Sequence, residues 1–214
     1  IIDSGSIIIN GTDAPVELVN PYHSLYAAVT RKSRLGEPPE GWHPEQCMTR
    51  EEALRSYTNW PAYGEFNEDL KGSLEVGKLA DFVVIDRDYM TCPEEDIKDI
   101  QALLTVSGGE VVYQKDTSVP TIMWNGLPLT FNSELIVEPG KIYVPLNDVI
   151  NGISAEKRAD GASMLVTLNG KSIKLPVKTV DGVDYVAVRA LFEGLGRNVT
   201  WYGDSRCVSI GWLK

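Results

Sequence analysis

Asp13 is the first residue in the chain whose type and position suggest chemistry. It lies in the loop "NGTDAP", directly after the apolar run Ile7–Ile9. The run is rich in β-branched side chains, which is typical of a short strand covered on both faces. A carboxylate at the end of a buried strand is costly to desolvate unless a cation or hydrogen-bond donors meet it. Asp13 is therefore a candidate for holding a cation or for accepting hydrogen bonds from the backbone.

Other residues that commonly bind metals are few and scattered. They are two histidines and three cysteines, namely His23, His43, Cys47, Cys92 and Cys207. No Cys-x-x-Cys pair occurs, so the spacing gives no zinc or redox motif. We expect both histidines to pack in loops or on the surface. The cysteine spacing excludes neither one disulfide nor a free thiol, and structural thiols are the default expectation. Residues 118–214 contain no histidine, and the sequence predicts no copper site there.

Composition is that of an ordinary globular protein, but the charge is unevenly distributed. The 214 residues are 43% hydrophobic and 23% charged, and no apolar run is long enough to span a membrane. Residues 1–117 hold 21 acidic and 10 basic residues, whereas residues 118–214 hold 9 and 10. The change predicts a domain boundary at residues 117–118. An acidic first half argues against nucleic acid as a partner, because that function needs a clustered basic face.

The elements that would position Asp13 can be read from the first half. The segment "HSLYAAVTRK" has the spacing of an amphipathic helix, and a second helix should begin at Thr49, with Glu52 completing a capping box. Beyond residue 71 the pattern predicts strands, first "FVVI" and then a hairpin that turns at Gly108-Gly109. Asp81 and Asp86 should close turns through hydrogen bonds to the backbone.

Residues 1–114 resemble the C-terminal part of a metal-dependent amidohydrolase, of the branch that acts on N-acyl and amide-type substrates. The stretches that carry the resemblance follow one another in the family's order: "NGTDAPVELVNP", "YAAVTRK", "MTREEALRSYT", "KGSLEVGKLADFVVIDRD" and "TVSGGEVVYQ". The resemblance implies a (β/α)8 barrel with an added β-sandwich. Residues 6–12 would form the eighth barrel strand within a barrel remnant at 1–70, and residues 71–117 would supply sandwich strands.

The resemblance also implies a role for Asp13. It would lie at the carboxyl end of the eighth strand, where barrel enzymes keep their chemistry. There it would contact a divalent, zinc-type metal or its bound water, accept a proton and pass it to the leaving nitrogen. The family's other ligands, mainly histidines on earlier strands, match neither His23 nor His43. We therefore expect an active parent enzyme that hydrolyses C–N bonds of a small amide or N-acyl substrate, while residues 1–214 alone would be inactive and bind no metal.

The second half contains an internal repeat. Each copy has an Asn-Gly turn, a strand, a Tyr-Val strand and a short helix that ends in glycine; the two turns are Asn125-Gly126 and Asn169-Gly170. This pattern predicts a small antiparallel sheet with helices, an α+β domain at residues 118–214. The stretches "NGLPLTFN", "IYVPLNDVING" and "DYVAVRALFEGLGRNVTWYGDSRCVSI" resemble the copper amine oxidase N-terminal-like domain, or stalk domain. Members commonly carry arginine at the position of Asn147, and the second copy has Arg189.

This second resemblance implies an appendage on exported proteins of Gram-positive-type bacteria. It therefore predicts an extracytoplasmic or cell-surface location and suggests an alternative function, a non-catalytic module that binds the cell surface or cell wall. Six aromatic side chains could form a stacking face for glycans or could simply pack in the core: Trp124, Tyr143, Tyr185, Trp201, Tyr202 and Trp212. An eighth strand and half a sandwich would also expose apolar surface. We expect this surface to pack on the missing barrel portion, on the second domain or on a second copy of the chain.

Overall fold

The chain forms two compact units, Ile1–Asp116 and Thr117–Lys214. The structure is a computed structural model that describes residues 1–203 and 206–212, with only the backbone of residue 212. Both units mix short helices with small sheets. None of the helices in these described ranges is long and apolar enough to cross a membrane.

The first unit contains three α-helices: α1 (Pro21–Thr30), α2 (Arg50–Tyr57) and α3 (Asn59–Gly64). Three 3-10 helices accompany them, at Ile2–Ser4, Pro44–Gln46 and Glu94–Asp99. The predicted capping box is confirmed, since the Thr49 hydroxyl accepts from the Glu52 amide and the Glu52 carboxylate accepts from the Thr49 amide. This exchange satisfies two amides that a helix start otherwise leaves unpaired.

One antiparallel sheet completes the first unit. Its strands are β1 (Phe82–Ile85), β2 (Ala102–Ser107) and β3 (Glu110–Gln114), in that order across the sheet. The predicted hairpin is confirmed, with positive φ at Gly108 and Gly109. Asp81 accepts a hydrogen bond from the Gly108 amide, and Asp86 accepts one from the Gln101 amide. Both carboxylates bond to the backbone as expected, but the donors lie 27 and 15 residues along the chain, so neither carboxylate closes a local turn.

The core of the first unit lies between α1, α2 and the 3-10 helix Glu94–Asp99. It contains Leu25, Tyr26, Ala53, Tyr89, Cys92, Ile97 and Ile100. Charged groups are buried beside it: the side chains of Arg87 and Asp86 are 2% and 0% exposed, and that of Lys98 is 0% exposed. Arg87 donates to both carboxylate oxygens of Asp86, at 2.9 and 2.7 Å. Two charges placed inside a protein in this way are tolerated only with such pairing.

The expected eighth strand at residues 6–12 is absent. Residues 6–13 form no strand, and the side chains of Ile7 and Ile9 are 40% and 55% exposed. Among the described residues no neighbouring strand pairs with this segment, and an isolated run of β-branched residues cannot satisfy its backbone groups by a sheet ladder. The prediction of a strand covered on both faces was therefore wrong. The β-branched residues favour a strand, but a strand forms only where a neighbouring strand can pair with it.

Eleven strands and two helices make up the described part of the second unit. The strands are β4 (Thr121–Trp124), β5 (Leu127–Pro128), β6 (Ile136–Glu138), β7 (Lys141–Pro145), β8 (Glu156–Asp160), β9 (Ser163–Leu168), β10 (Lys171–Pro176), β11 (Lys178–Val180), β12 (Val183–Ala187), β13 (Arg197–Tyr202) and β14 (Cys207–Trp212). The helices are α4 (Leu146–Gly152) and α5 (Val188–Gly194). Three sheets result, with strand orders β10-β9-β8, β11-β12-β7-β6 and β13-β14-β4-β5. The prediction of one antiparallel sheet was therefore wrong in two respects: the strands divide among three sheets, and β4 and β14 pair in parallel.

The internal repeat is confirmed as a repeated fold. Strands β7 and β12 pair antiparallel, with Val144 opposite Val186, and each runs directly into a seven-residue helix. Both Asn-Gly turns have positive φ at both residues, which suits tight hairpins. Equivalent side chains from the two copies fill one core, which includes Val144, Leu146, Val149, Val186, Val188, Leu191 and Phe192. The predicted final hairpin is present as β13 and β14, whereas Asp204 of its turn lies outside the described residues.

The buried pair in the first unit yields a stability prediction. Arg87→Met should lower the free energy of unfolding by about 3–5 kcal/mol, because the buried Asp86 carboxylate loses its cation. Hydrogen exchange at the amides of β1 and β2 would report this change for the first unit alone. The matched control is Arg55→Met, which removes an exposed pair with Glu51 and should cost less than about 1 kcal/mol. Equal costs for the two variants would contradict the prediction.

Glu95 yields a prediction on pH dependence. Burial raises the pKa of its carboxyl group, but Lys98, the Tyr26 hydroxyl and Lys32 together lower it below its ordinary value of 4.5. A carboxyl group whose pKa is lowered by folding stabilises the fold above its unfolded pKa, and this contribution is lost as the pH falls through the folded value. At pH 7 the free energy of unfolding should therefore be larger for wild type than for the Glu95→Gln variant. This difference should shrink as the pH falls below 4.5. A difference that stays constant down to pH 3 in urea titrations would contradict this.

Candidate functional site

Asp13 lies in an exposed turn at the surface of the first unit. Its backbone is left-handed, with a φ of 52°, and its carbonyl accepts a hydrogen bond from the Val16 amide at 2.8 Å. The Asn10 side chain accepts from the Gly11 amide at 2.9 Å. Asparagine and aspartate tolerate this backbone region better than most residues do. The turn is therefore shaped by local backbone bonds, and the Asp13 side chain is exposed.

Two contacts fix the path of the chain before this turn. The Asn10 amide donates to the carbonyl of Ser56, at the end of α2, at 3.0 Å. The Ile9 side chain lies directly against Gly64 of α3, where a Cβ atom would collide with it. Any larger residue at position 64 would have to displace Ile9. The end of α2 and the small residue in α3 thus guide the segment that carries Asp13.

The residues present do not provide a metal site by themselves. Within residues 1–203 and 206–212, no group of three or more His, Cys, Asp or Glu side chains could hold a metal ion. The structure places the two histidines in other interactions: His23 contacts the Asn20 side chain at 3.2 Å, and His43 contacts Glu45 at 2.9 Å. Asp13 can contribute one carboxylate oxygen, whereas a catalytic zinc normally takes about three protein ligands. No catalytic step through a metal can be derived from this donor set.

The cysteines behave as structural thiols. All three are free, and Cys92 and Cys207 are buried. Burial raises the pKa of the Cys92 thiol, and burial likewise raises the pKa of Cys47. A raised pKa keeps a thiol protonated and unreactive at neutral pH. The expectation from sequence is confirmed for these residues.

Of the six aromatic residues considered for a glycan-stacking face, the five whose side chains the structure describes differ in exposure and in their contacts. Trp124 packs on Phe192 with ring centroids 5.4 Å apart, and Tyr185 is buried with its hydroxyl donating to the Glu134 carbonyl. Tyr143 and Tyr202 are partly buried, and the side chain of Trp212 lies outside the described residues. Trp201 is 44% exposed and lines a cleft. Packing in the core thus accounts for Trp124 and Tyr185, and the glycan hypothesis concerns Trp201.

Sequence reasoning missed the charged residues that surround this cleft. Glu138 and Lys141 face each other in the β6–β7 hairpin, Glu193 belongs to α5, and Arg206 directly precedes β14. The fold alone brings these three segments together. The repeat offered one signal, since its second copy carries Arg189 where its first carries Asn147.

Comparison with known proteins concerns the first unit. A model described as "Amidohydrolase family" matches residues 1–113, which include the Asp13 turn. The chain is 32% identical over 118 residues to an N-substituted formamide deformylase of Arthrobacter pascens, with 55% of this chain and 21% of the relative covered. It is 30% identical over 115 residues to the putative amidohydrolase YtcJ of Bacillus subtilis, with 54% of this chain and 22% of the relative covered.

A plant protein shows the same pattern. Protein LONG AFTER FAR-RED 3 of Arabidopsis thaliana is 33% identical over 118 residues, with 53% of this chain and 19% of the relative covered. The chain thus spans about a fifth of the length of these curated relatives. No solved structure matches. Since the family model covers more than half of the 214 residues and includes the Asp13 turn, the chain belongs to the amidohydrolase family.

Proposed function

We propose that this chain is part of an enzyme that hydrolyses C–N bonds of the amide type. The observation that carries the proposal is the family match across residues 1–113, which contains the Asp13 turn. In this proposal Asp13 accepts a proton from the water that attacks the carbonyl carbon and passes it to the leaving nitrogen. A carboxylate suits both transfers, because it is ionised before the attack and acidic after it. A divalent, zinc-type metal would activate the water, with its remaining ligands supplied by residues other than those described.

The substrate class is proposed from the relatives. One of them is named as an N-substituted formamide deformylase, which makes N-substituted formamides the first substrates to test. These small molecules carry one C–N bond of the required kind, and cleavage releases formate and an amine. The sequence identity is 32% over a fifth of that enzyme. It supports cleavage of an amide-type C–N bond more strongly than it supports any particular substrate.

The first unit exposes apolar surface. This supports a further part of the proposal, namely that other polypeptide segments pack on this surface and cover it. The sheet β1–β3 exposes apolar side chains by 37% to 62%: Phe82, Val83, Val84, Val111, Val112 and Tyr113. Because successive side chains of a strand point to opposite faces, this exposure involves both faces of the sheet. We propose that barrel and sandwich segments of the longer enzyme cover these faces. A second copy of the chain is the alternative partner.

The second unit supports an alternative function that is not catalytic. Its resemblance to the stalk domain of exported bacterial proteins favours an extracytoplasmic or cell-surface location. In that case residues 118–214 would bind the cell surface or cell wall while the first unit belongs to the enzyme. The exposed Trp201 is the observation that favours such binding.

Residues 1–214 alone should not hydrolyse N-substituted formamides. With one candidate carboxylate and no cluster of ligands among the described residues, added zinc has no complete site to occupy. Formate and amine release by the purified chain, with and without zinc, measures this. Metal-dependent turnover in a preparation free of any longer polypeptide would contradict the prediction.

Asp13→Asn should inactivate the complete polypeptide that contains this chain. The amide has a similar shape but cannot accept or deliver the proton, so kcat should fall about 10²- to 10⁴-fold with little change in KM. Formate release under steady-state conditions measures both constants. The matched control is Asp3→Asn, an exposed aspartate in the 3-10 helix Ile2–Ser4, which should leave kcat unchanged. Retention of more than half the wild-type kcat in Asp13→Asn would contradict the role of Asp13.

A further inference from the structure

The second unit contains a cleft that the hydrolase proposal does not use. It has a volume of about 750 Å³, within the range of roughly 300–1,000 Å³ that is usual for ligand sites. The β6–β7 hairpin, the start of α5 and the strands β13 and β14 form its walls. Valine side chains make up much of its apolar lining, at positions 137, 188, 199 and 208.

Trp201 gives the cleft an exposed aromatic wall. Side chains alternate along β13, so Arg197, Val199 and Trp201 point to the same side of the sheet. Arg197 and Val199 are buried at 5% and 7% exposure, whereas Trp201 is 44% exposed. Trp201 therefore points to the same side of the sheet as the buried residues of β13, but its indole lies beyond the core and lines the cleft. An indole at this place leaves a flat apolar surface open for a ligand.

Charged groups of both signs surround this apolar surface. Among the described residues, three cations and two carboxylates line the cleft: Lys141, Arg189, Arg206, Glu138 and Glu193. Both carboxylates already have partners, since Glu193 pairs with Arg189 on the same helix and Glu138 pairs with Lys178. The described part of the lining therefore carries a net charge of +1, in a chain whose net charge is −10. Such a local excess of cations favours an anionic ligand.

The repeat shows that one of these charged pairs, Arg189 and Glu193, occurs in only one copy of the fold. Aligning the Tyr-Val strands places Arg189 opposite Asn147 and Glu193 opposite Asn151. Asn147 accepts a hydrogen bond from Lys157 and does not line the cleft. The same backbone position therefore carries an amide in the first copy and half of a charged pair in the second.

We propose that this cleft binds an acidic oligosaccharide. The apolar face of a sugar ring would stack on Trp201, because its C–H groups meet the electron-rich face of the indole. Ring hydroxyls would exchange hydrogen bonds with the Arg189–Glu193 pair, which presents donors and acceptors side by side. Sugar carboxylates would face Lys141 and Arg206. An apolar peptide would use the valines and the indole but would offer no opposite charge to Lys141 and Arg206.

The test is binding of the purified chain 1–214 to an α-1,4-linked hexamer of galacturonic acid, measured by isothermal titration calorimetry. The neutral hexamer of glucose, cellohexaose, serves as comparator. We expect binding of the acidic hexamer, weaker binding of cellohexaose, and loss of their difference at 0.5 M salt because screening weakens the charge contacts. Trp201→Ala should weaken binding of the acidic hexamer at least tenfold. Arg189→Gln, at a side chain that is 61% exposed, should also weaken it without disturbing the core.

Two variants control for nonspecific effects. Trp42→Ala removes a tryptophan of the first unit that is 63% exposed, and Asn147→Ala changes the position equivalent to Arg189. Both should bind the acidic hexamer like wild type. The proposal is overturned if wild type binds neither hexamer, or if both Trp201→Ala and Arg189→Gln bind as tightly as wild type. Tighter binding of a hexapeptide of alternating valine and threonine than of the acidic hexamer would assign the cleft to peptides instead.

Discussion

The buried pair of Asp86 and Arg87 holds together the unit that carries the family match. Arg87 donates to the Asp86 carboxylate and also to the carbonyls of Asp96 and Asp99, at 3.2 and 3.1 Å. The Asp86 carboxylate accepts in turn from the Gln101 amide. One side-chain pair therefore joins the end of β1, the following 3-10 helix and the start of β2. That helix supplies Ile97 to the core beside α1, so the helices and the sheet depend on the same two charges.

Asp13 is not held by a comparable set of hydrogen bonds among the described residues. The structure therefore defines the position of its carboxylate less closely than that of the Asp86–Arg87 pair. One backbone bond to Ser56 and the contact of Ile9 with Gly64 guide the segment before the turn. A catalytic group must be held to within about 0.5 Å of its working position. In barrel enzymes this precision comes from several strand ends that meet around the substrate. If Asp13 has the proposed role, the described residues supply one catalytic group, and its final geometry depends on groups from elsewhere.

Local sequence patterns were sufficient to predict those structures that are formed by residues close together in the chain. The capping box of Thr49 and Glu52, the hairpin at Gly108-Gly109 and both Asn-Gly turns could be predicted, because each is stabilised by its own neighbours. The strand expected at Ile7–Ile9 failed for the opposite reason, since a strand needs pairing partners that local sequence does not provide. The role of Arg87 was missed because its acceptors lie up to twelve residues away along the chain. The assignment of Asp13 depended on family resemblance, and no local rule would have produced it.

The repeat in the second unit shows that equivalent positions of two copies can keep a shared core while their surface residues diverge. Equivalent apolar positions, such as Val144 and Val186, fill a shared core, so substitutions there would disturb both halves. Polar positions on the helices face away from that core and can diverge at little cost. Asn147 and Arg189 have diverged in this way, and only Arg189 lines the cleft with Trp201. The cleft therefore combines the β6–β7 hairpin of the first copy with the diverged helix of the second, so the repeat supplies both walls of the proposed site.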